Sequence, residues 1–506
     1  MRNFLLIISL ITCLLFNTVV AQVEYVQRVE TELKDDFVNE SILEFGEKGL
    51  IVRSKRKENI GGQEEWQFQK INTDLQETET TSFKLKKQYF LDESISTDDR
   101  HFVLFQDKKD RYILGNIGID DMKFNHVSGE LPKKSRISDM VIIGDNTYYK
   151  ATIKKEPVLF VINWKTGKNS IIPVDIKGYK RKKTSVQNLQ AMEQSDEVIL
   201  NVVGIDSRKK SNLFVLRFNA EGKKVGQFNL TKDVEENISD LSSYKLDDNK
   251  YLYTGTYSEN KVLMSQGLFF SQATNNDLDY LNLYNFLDLK EFLSYLPEKK
   301  QERIDRKKKR KAKRGKELKI NYRIADHDII ELEDGFLFIG EAYYPTYSSQ
   351  SYTTYTTING VSTPTTQYRR IFDGYQYTHA VITKYNKQGD LLWDRNFELF
   401  QTHKPYYLKR FIKVAETDAQ GIKLAYSSRN KIASKYIDYN GEILEDQESE
   451  EIETGKDGDK TKWTNSNLSY WYDDYFLSYG SQKIKNKKDK SVKRKRRVMF
   501  INKVRY

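Results

Sequence analysis

The stretch "HAVITKYNKQGDLLWDRNFEL", His379 to Leu399, runs from an apolar segment through a polar reversal into a second apolar segment. The order recurs in "EWQFQKINTDLQ" (65–76), "RYILGNIGIDDMK" (111–123), "VLFVINWKTGKN" (158–169), "NLFVLRFNAEGKK" (212–224), "GLFFSQATNND" (267–277) and "SKYIDYNGE" (434–442). Hydrophobic residues fill alternate or successive positions, the mark of half-buried or fully buried strands. Asp, Asn or Gly stands at each reversal, where a positive φ is tolerated. The turn residues Asp74, Asp121, Gly167, Gly222, Asn276, Gly389 and Gly441 lie 47, 46, 55, 54, 113 and 52 positions apart. Two insertions account for the long interval.

Four strands per unit at this spacing predict an all-β chain folded as a β-propeller. The expected units are 41–86, 89–131, 137–176, 185–231, 238–286, 321–399 and 407–450. An eighth contains only "NLSYWYDD", "YFLSYGSQ" and "RVMFINKVRY", and is expected to take its outer strand from "VEYVQRVETEL", residues 23–33. Pairing of 23–33 with 498–506 closes the fold and covers an exposed edge. Seven blades and an open array of β-sandwiches are the alternatives.

Within the quoted stretch, Gly389 and Trp393 give a Gly-x-x-x-Trp motif similar to the docking repeat of quinoprotein-type propellers. The resemblance covers one blade and implies packing of the Trp against an adjoining blade, not a quinone. The Lys-, Asn- and Tyr-rich style, with cleavage before Gln22, also resembles exported propeller proteins of Bacteroidota with no assigned activity.

"MRNFLLIISLITCLLFNTVVAQ" predicts a signal peptide over 1–21: Arg2 is the charged start, Phe4 to Phe16 the apolar region, and Val19-Val20-Ala21 the cleavage site. Cys13 sits in a poor lipoprotein context and is the only cysteine, so residues 22–506 hold no disulfide and no thiol nucleophile. The expected location is the periplasm, the outer-membrane surface or the extracellular space. Of a net charge of +11, segment 299–319 carries 13 Lys/Arg against three acids, and 483–497 carries ten against one. The remainder is acidic, which points to localised basic sites.

The first block ends an insertion at 287–319, in the crossover between the fifth and sixth units. Leu287, Leu289, Phe292, Leu293 and Leu296 lie at near-helical spacing and predict an amphipathic helix, either docked or lying on an anionic membrane surface. The second block occupies a hairpin of the last unit. A Tyr/Thr-rich insertion, 343–377, supplies rigid aromatics and adaptable hydroxyls. Propeller topology is expected to bring all three to one face, together with basic hairpins at 53–59, 107–110, 154–156, 206–212 and 428–431. The candidate contact residues are Lys307, Lys308, Lys309, Arg310, Lys311, Lys493, Arg494, Lys495, Arg496, Arg497, Tyr343, Tyr344, Tyr375 and Tyr377. An anionic envelope polymer or lipid, an acidic glycan, or an acidic protein is the expected partner of a monomer; export ranks nucleic acid last.

Catalytic signatures are sparse. There is no phosphate-binding loop, no nucleophile elbow, no His-Glu-x-x-His, and "GKDGDKTKW" lacks the spacing of a sialidase box. Three of five histidines, His327, His379 and His403, fall in or beside the sixth unit; His101 and His126 are elsewhere. An expected register placing His327 or Asp328 opposite Glu341, with His379 alongside, clusters Asp326, His327, Asp328, Glu341, Tyr343, Tyr344, Asp373, Tyr375 and His379. Imidazoles beside carboxylates suit metal binding or proton transfer, and equally a hydrogen-bonded scaffold. The reading is a binding propeller without cofactor or metal. A carbohydrate-active or metal-assisted hydrolase, with its site on blade six or at the central channel, is the alternative.

Overall fold

The computed structural model describes residues 23–505 apart from 33–36, 58–60, 193–194, 208–209, 233, 260–263, 359–360, 402–403 and 418–419. The expected signal peptide and His403 lie outside the described residues, as do parts of the hairpins at 53–59 and 206–212. Eight antiparallel sheets follow one another along the chain, each with four strands in sequential order apart from the last. This is the eight-bladed β-propeller architecture. Blades one to six span 37–86, 90–130, 135–173, 184–229, 237–285 and 323–398; blade seven spans 413–451 and the rest of blade eight 459–505. A short extra strand, Ile330–Leu332, joins blade six. The chain forms two compact units, one of Lys34–Phe411 and one of Ile412–Tyr506 with the segment up to Leu33.

Within the larger unit, hydrophobic strands make the blades and the spaces between blades make the core. The middle strands of blade four, Glu197–Ile205 and Ser211–Asn219, are buried almost throughout because neighbours cover both faces. The outer strand Glu77–Lys86 of blade one is mostly exposed and polar. Five clusters sit between successive blades; one joins Phe45, Trp66 and Phe68 of blade one to Val103, Phe105 and Met122 of blade two. Another joins Leu252, Phe270 and Phe286 to Phe336, Val381 and Tyr385.

The reversal between the third and fourth strands of blade six packs closely on blade five. Gly389 has φ +82°, and a Cβ there would lie 2.4 Å from Tyr280 of blade five. Asn282 and Tyr284 of that blade donate to the Gly389 carbonyl. In blades one and two the left-handed residues are Leu75 and Met122, one position beyond the expected Asp74 and Asp121. Asn72 explains the first case, since its side chain accepts from the backbone N–H groups of Asp74 and Gln76 and holds the turn.

The insertion after blade five departs from expectation. Residues 286–296 form successive turns, and Leu289 and Phe292 are buried in the core between blades five and six. The apolar stripe is therefore not helical and is not available to a membrane. The helix, α1, is Glu298–Ala312, the basic run itself. Pro297 caps its start, Glu298 lies in the first turn, and Lys309, Arg310 and Lys311 lie in the last, in accord with the helix dipole. Gly315 ends it with φ +63°, as Gly315 N–H donates to Ala312 and Lys316 N–H to Lys311.

In the second unit, strand Glu24–Glu32 pairs antiparallel with Lys495–Arg505, giving blade eight its outer strand as the sequence predicts. Arg496 binds this arrangement together: its guanidinium bonds to Asp459 at 2.9 Å and 2.5 Å and to Glu30 at 3.1 Å. Arg28 reaches from the N-terminal strand to Asn502 and Gln482. The core of this unit combines Val23, Ala425 and Ile432 with Leu468, Phe476, Phe500 and Val504.

Candidate functional site

On blade six the expected acid–imidazole cluster is divided by the sheet. Ala325, not His327 or Asp328, stands opposite Glu341, because Asp326 already pairs with Gly340 and His327 N–H donates to the Ile339 carbonyl. The His327 side chain still reaches back, placing Nε2 2.9 Å from Glu341 Oε1. Glu341 is fully buried, and the Phe411 N–H donates to both its oxygens at 2.8 and 3.0 Å. Asp326 accepts from Ser242, its carbonyl accepts from Arg410, and Asp328 is exposed.

His379 pairs with Ala342 and so leaves the opposite face from Glu341. There Tyr295 stacks on its ring at 4.3 Å, Phe292 meets it edge-on at 4.7 Å, and Thr378 Oγ1 lies 2.9 Å from Nδ1. Burial pushes the imidazole down to about 3, so it is neutral at physiological pH. Its buried Nε2 has no hydrogen-bond partner among the described residues. Among the described residues no three His, Cys, Asp or Glu side chains converge as a cation-binding group would require.

The four tyrosines also separate. Tyr343 stacks on Tyr377 at 5.1 Å and meets Tyr375 edge-on, and the Tyr377 hydroxyl accepts from the Lys409 N–H. Tyr343 and Tyr377 are buried, so this column is an internal spine rather than a contact surface. Tyr344, 39% exposed, lines an open cleft of about 530 Å³ with Lys319, Asn321 and Tyr322. Beyond it the paired strands Gly335–Ile358 and Val361–Asn386 expose Tyr347, Tyr352, Tyr355 and Tyr368.

Helix α1 has an anchored side and a free side. Gln301, Ile304, Lys308 and Lys311 are partly covered, spaced as one helical face. Lys308 donates to the Leu287 carbonyl at 2.7 Å and pairs with Asp288 at 3.2 Å; Lys311 donates to the Glu317 carbonyl. Lys307, Lys309 and Arg310 are exposed, as are Arg303 and Arg306. Among the described residues none of these five has a carboxylate within 4.0 Å. Of the five contact residues expected here, three face solvent and two hold the helix.

The second basic block is likewise split by strand alternation. Ile484 and Arg496 face inward, while Lys483, Lys495 and Arg497 are exposed and Lys485 is half-exposed. Lys493 pairs with Glu32 at 2.7 Å, and Arg494 is exposed. Lys483 lies directly opposite Arg497, and Lys485 directly opposite both Lys495 and Lys460. Sequence reading missed Lys460, Lys462 and Trp463, which belong to this face. Register, not local composition, brings them there.

No protein-family model matches the chain, and no curated protein matches it. Among solved structures it is similar to the β-propeller domain of the Trilobed protease from Pyrococcus furiosus, at 9% identity over 79% of this chain and 92% of that one, TM-score 0.35. The WD40 domain of SCAP from fission yeast matches at 7% identity over 95% and 98%, TM-score 0.38. Oligopeptidase B from Leishmania major matches at 8% over 90% of this chain but only 54% of that one, TM-score 0.38. The propeller architecture rests on the eight sheets themselves.

Proposed function

We propose that this protein is an exported, non-catalytic binding or scaffold propeller that uses cationic elements to contact an anionic partner. The observation that carries this reading is the free side of α1. Arg303, Arg306, Lys307, Lys309 and Arg310 face solvent without a carboxylate partner among the described residues, on a helix fastened to the body by Lys308 and Lys311. Mutual repulsion on such a surface destabilises the helix, and an anionic partner offsets it. At about 0.15 M salt the screening length is about 8 Å, so the contact is made at close range. Near an anionic surface each such side chain contributes about 1 kcal/mol. The hydrolase alternative, with its site on blade six or at the central channel, would on blade six draw on Glu341 at the centre of the expected cluster. Glu341 is buried with its oxygens hydrogen-bonded to Phe411 and His327, which favours the binding reading.

The test replaces Arg306, Lys307, Lys309 and Arg310 with Gln, leaving Lys308 and Lys311 to hold the helix. Sedimentation with anionic and neutral vesicles, with and without lipopolysaccharide, and binding to acidic glycan and envelope proteins are compared across salt. The wild type is expected to bind the anionic partner in a salt-sensitive way and the variant to lose that binding. Equal behaviour of the two contradicts the assignment to α1.

A further inference from the structure

We propose that the exposed side of blade eight, formed by Lys460, Trp463, Lys483, Lys485, Lys495 and Arg497, binds an extended acidic polysaccharide. The inference rests on the reading of the protein as a binder of anionic partners, and gives that partner a chemical class at one sheet.

Strand register sets the cations in rows. Lys460, Lys485 and Lys495 form one row across three strands, and Trp463, Lys483 and Arg497 form the next row on the same side. Adjacent strands lie about 4.8 Å apart and same-side residues about 7 Å apart along a strand. Five cations and an indole thus occupy a fixed grid. Like charges directly opposite one another destabilise a sheet. Here Lys485 faces a cation on both sides, and its ammonium is held below its ordinary value by Lys487 first, and further by Arg494, Lys462 and Lys495. Among the described residues none of the five cations of the grid has a carboxylate within 4.0 Å, although the inward Arg496 between them has two. Glu30 and Asp459 serve the inward Arg496, and the five cations of the grid have no paired acid among the described residues.

A β-bulge reinforces the arrangement. The first strand shifts register between Thr461 and Trp463, which turns Trp463 to the cationic side and leaves Lys462 exposed beside it. Trp463 is 45% exposed, with the Lys483 ammonium 5.6 Å from its ring centre. An acidic polysaccharide offers what this grid lacks: carboxylate or sulfate groups repeated at short intervals, and apolar ring faces that stack on an indole. Single-stranded nucleic acid is held by a series of aromatic platforms, one for each of several bases, and the six-residue grid has one, Trp463. A lipid surface calls for apolar side chains that insert, and the grid has only the indole.

The experiment measures binding of the full chain to a polyuronate and to a sulfated polysaccharide of defined length. An oligothymidylate of matched charge and anionic vesicles serve as comparisons. Wild type is compared with the triple variant Lys483→Gln, Lys485→Gln, Lys495→Gln and with Trp463→Ala, thermal melting confirming that each folds. The proposal expects saccharide binding weakened at least tenfold in the triple variant and several-fold in Trp463→Ala, with indole fluorescence altered by saccharide only when Trp463 is present. Oligothymidylate binding as tight as saccharide binding overturns the chemical class. Saccharide binding indifferent to all four substitutions overturns the location. Binding to anionic vesicles but to no saccharide overturns this inference and leaves the broader reading standing, whereas binding to no anionic probe removes both.

Discussion

Glu341 and His379 occupy neighbouring rungs of one strand pair on blade six and face opposite sides of the sheet. The carboxylate is held by Phe411 and His327, while the imidazole is enclosed by Tyr295 and Phe292. The two substitutions therefore have different consequences. Glu341→Gln keeps the shape but loses a charged acceptor shared by two donors, and is expected to cost about 2 kcal/mol in urea unfolding. His379→Leu removes a buried Nε2 that has no partner among the described residues, along with the local Nδ1–Thr378 bond, and is expected to change stability by less than about 1.5 kcal/mol. Equal, large losses from both would mean that the residues act as one unit.

Acid sensitivity follows from two buried imidazoles. Burial holds His379 at about 3, and burial together with Arg53 holds His101 at about 3. Unfolded histidine takes up its proton at about pH 6.5, so the unfolded chain binds more protons below that value. The stability associated with each neutral imidazole is complete above pH 6.5 and is lost as pH falls toward 3. At pH 5 each is expected to contribute a loss of about 2 kcal/mol. Melting from pH 7.5 to pH 5 should fall more steeply in wild type than in a His101→Gln, His379→Leu double variant; parallel curves would refute the assignment.

Completion of blade eight depends on Arg496 and its acids. Asp459 is fully buried against a guanidinium that also holds Glu30 of the N-terminal strand. Asp459→Asn is expected to cost about 3 kcal/mol, because a buried cation loses its closest charge partner. Deleting residues 23–32 should cost more and expose the edge of Lys495–Arg505, seen as lowered cooperativity and concentration-dependent aggregation. Unchanged melting of the deleted protein would show that this strand is dispensable.

The architecture was legible because one reversal recurs with Asn, Asp or Gly where the backbone turns, and because the two chain ends supply complementary strands. What escaped was set by neighbours in space. Leu75 and Met122 take left-handed turns without a glycine to announce them. Leu289 and Phe292 have the spacing of a helical stripe, yet the core between two blades captures them and the helix forms from the charged residues after Pro297. First strands carry a bulge in several blades, at Asp92, Asp139, Gln187 and Lys462, with no common residue type to signal it. The bulge after Thr461 brings Trp463 to the basic side, and the actual register of Asp326 on Gly340 separates the expected histidine cluster.

The cationic grid has a signature even without a ligand. Lys485→Gln removes a charge flanked on both sides by others, and is expected to raise the melting temperature slightly at low salt. The gain should vanish in high salt, where wild type is already screened. A loss of stability at low salt would show that Lys485 is favourably paired.

The most direct test of the central claim is the salt dependence of binding to an acidic polysaccharide. It compares wild type with a variant neutralised at Arg306, Lys307, Lys309, Arg310, Lys483, Lys485 and Lys495. Each cation that displaces a counterion steepens the fall of affinity with salt. A steep decline is expected for wild type and a shallow one, from a weaker starting affinity, for the variant. Identical slopes and affinities in the two proteins would contradict it.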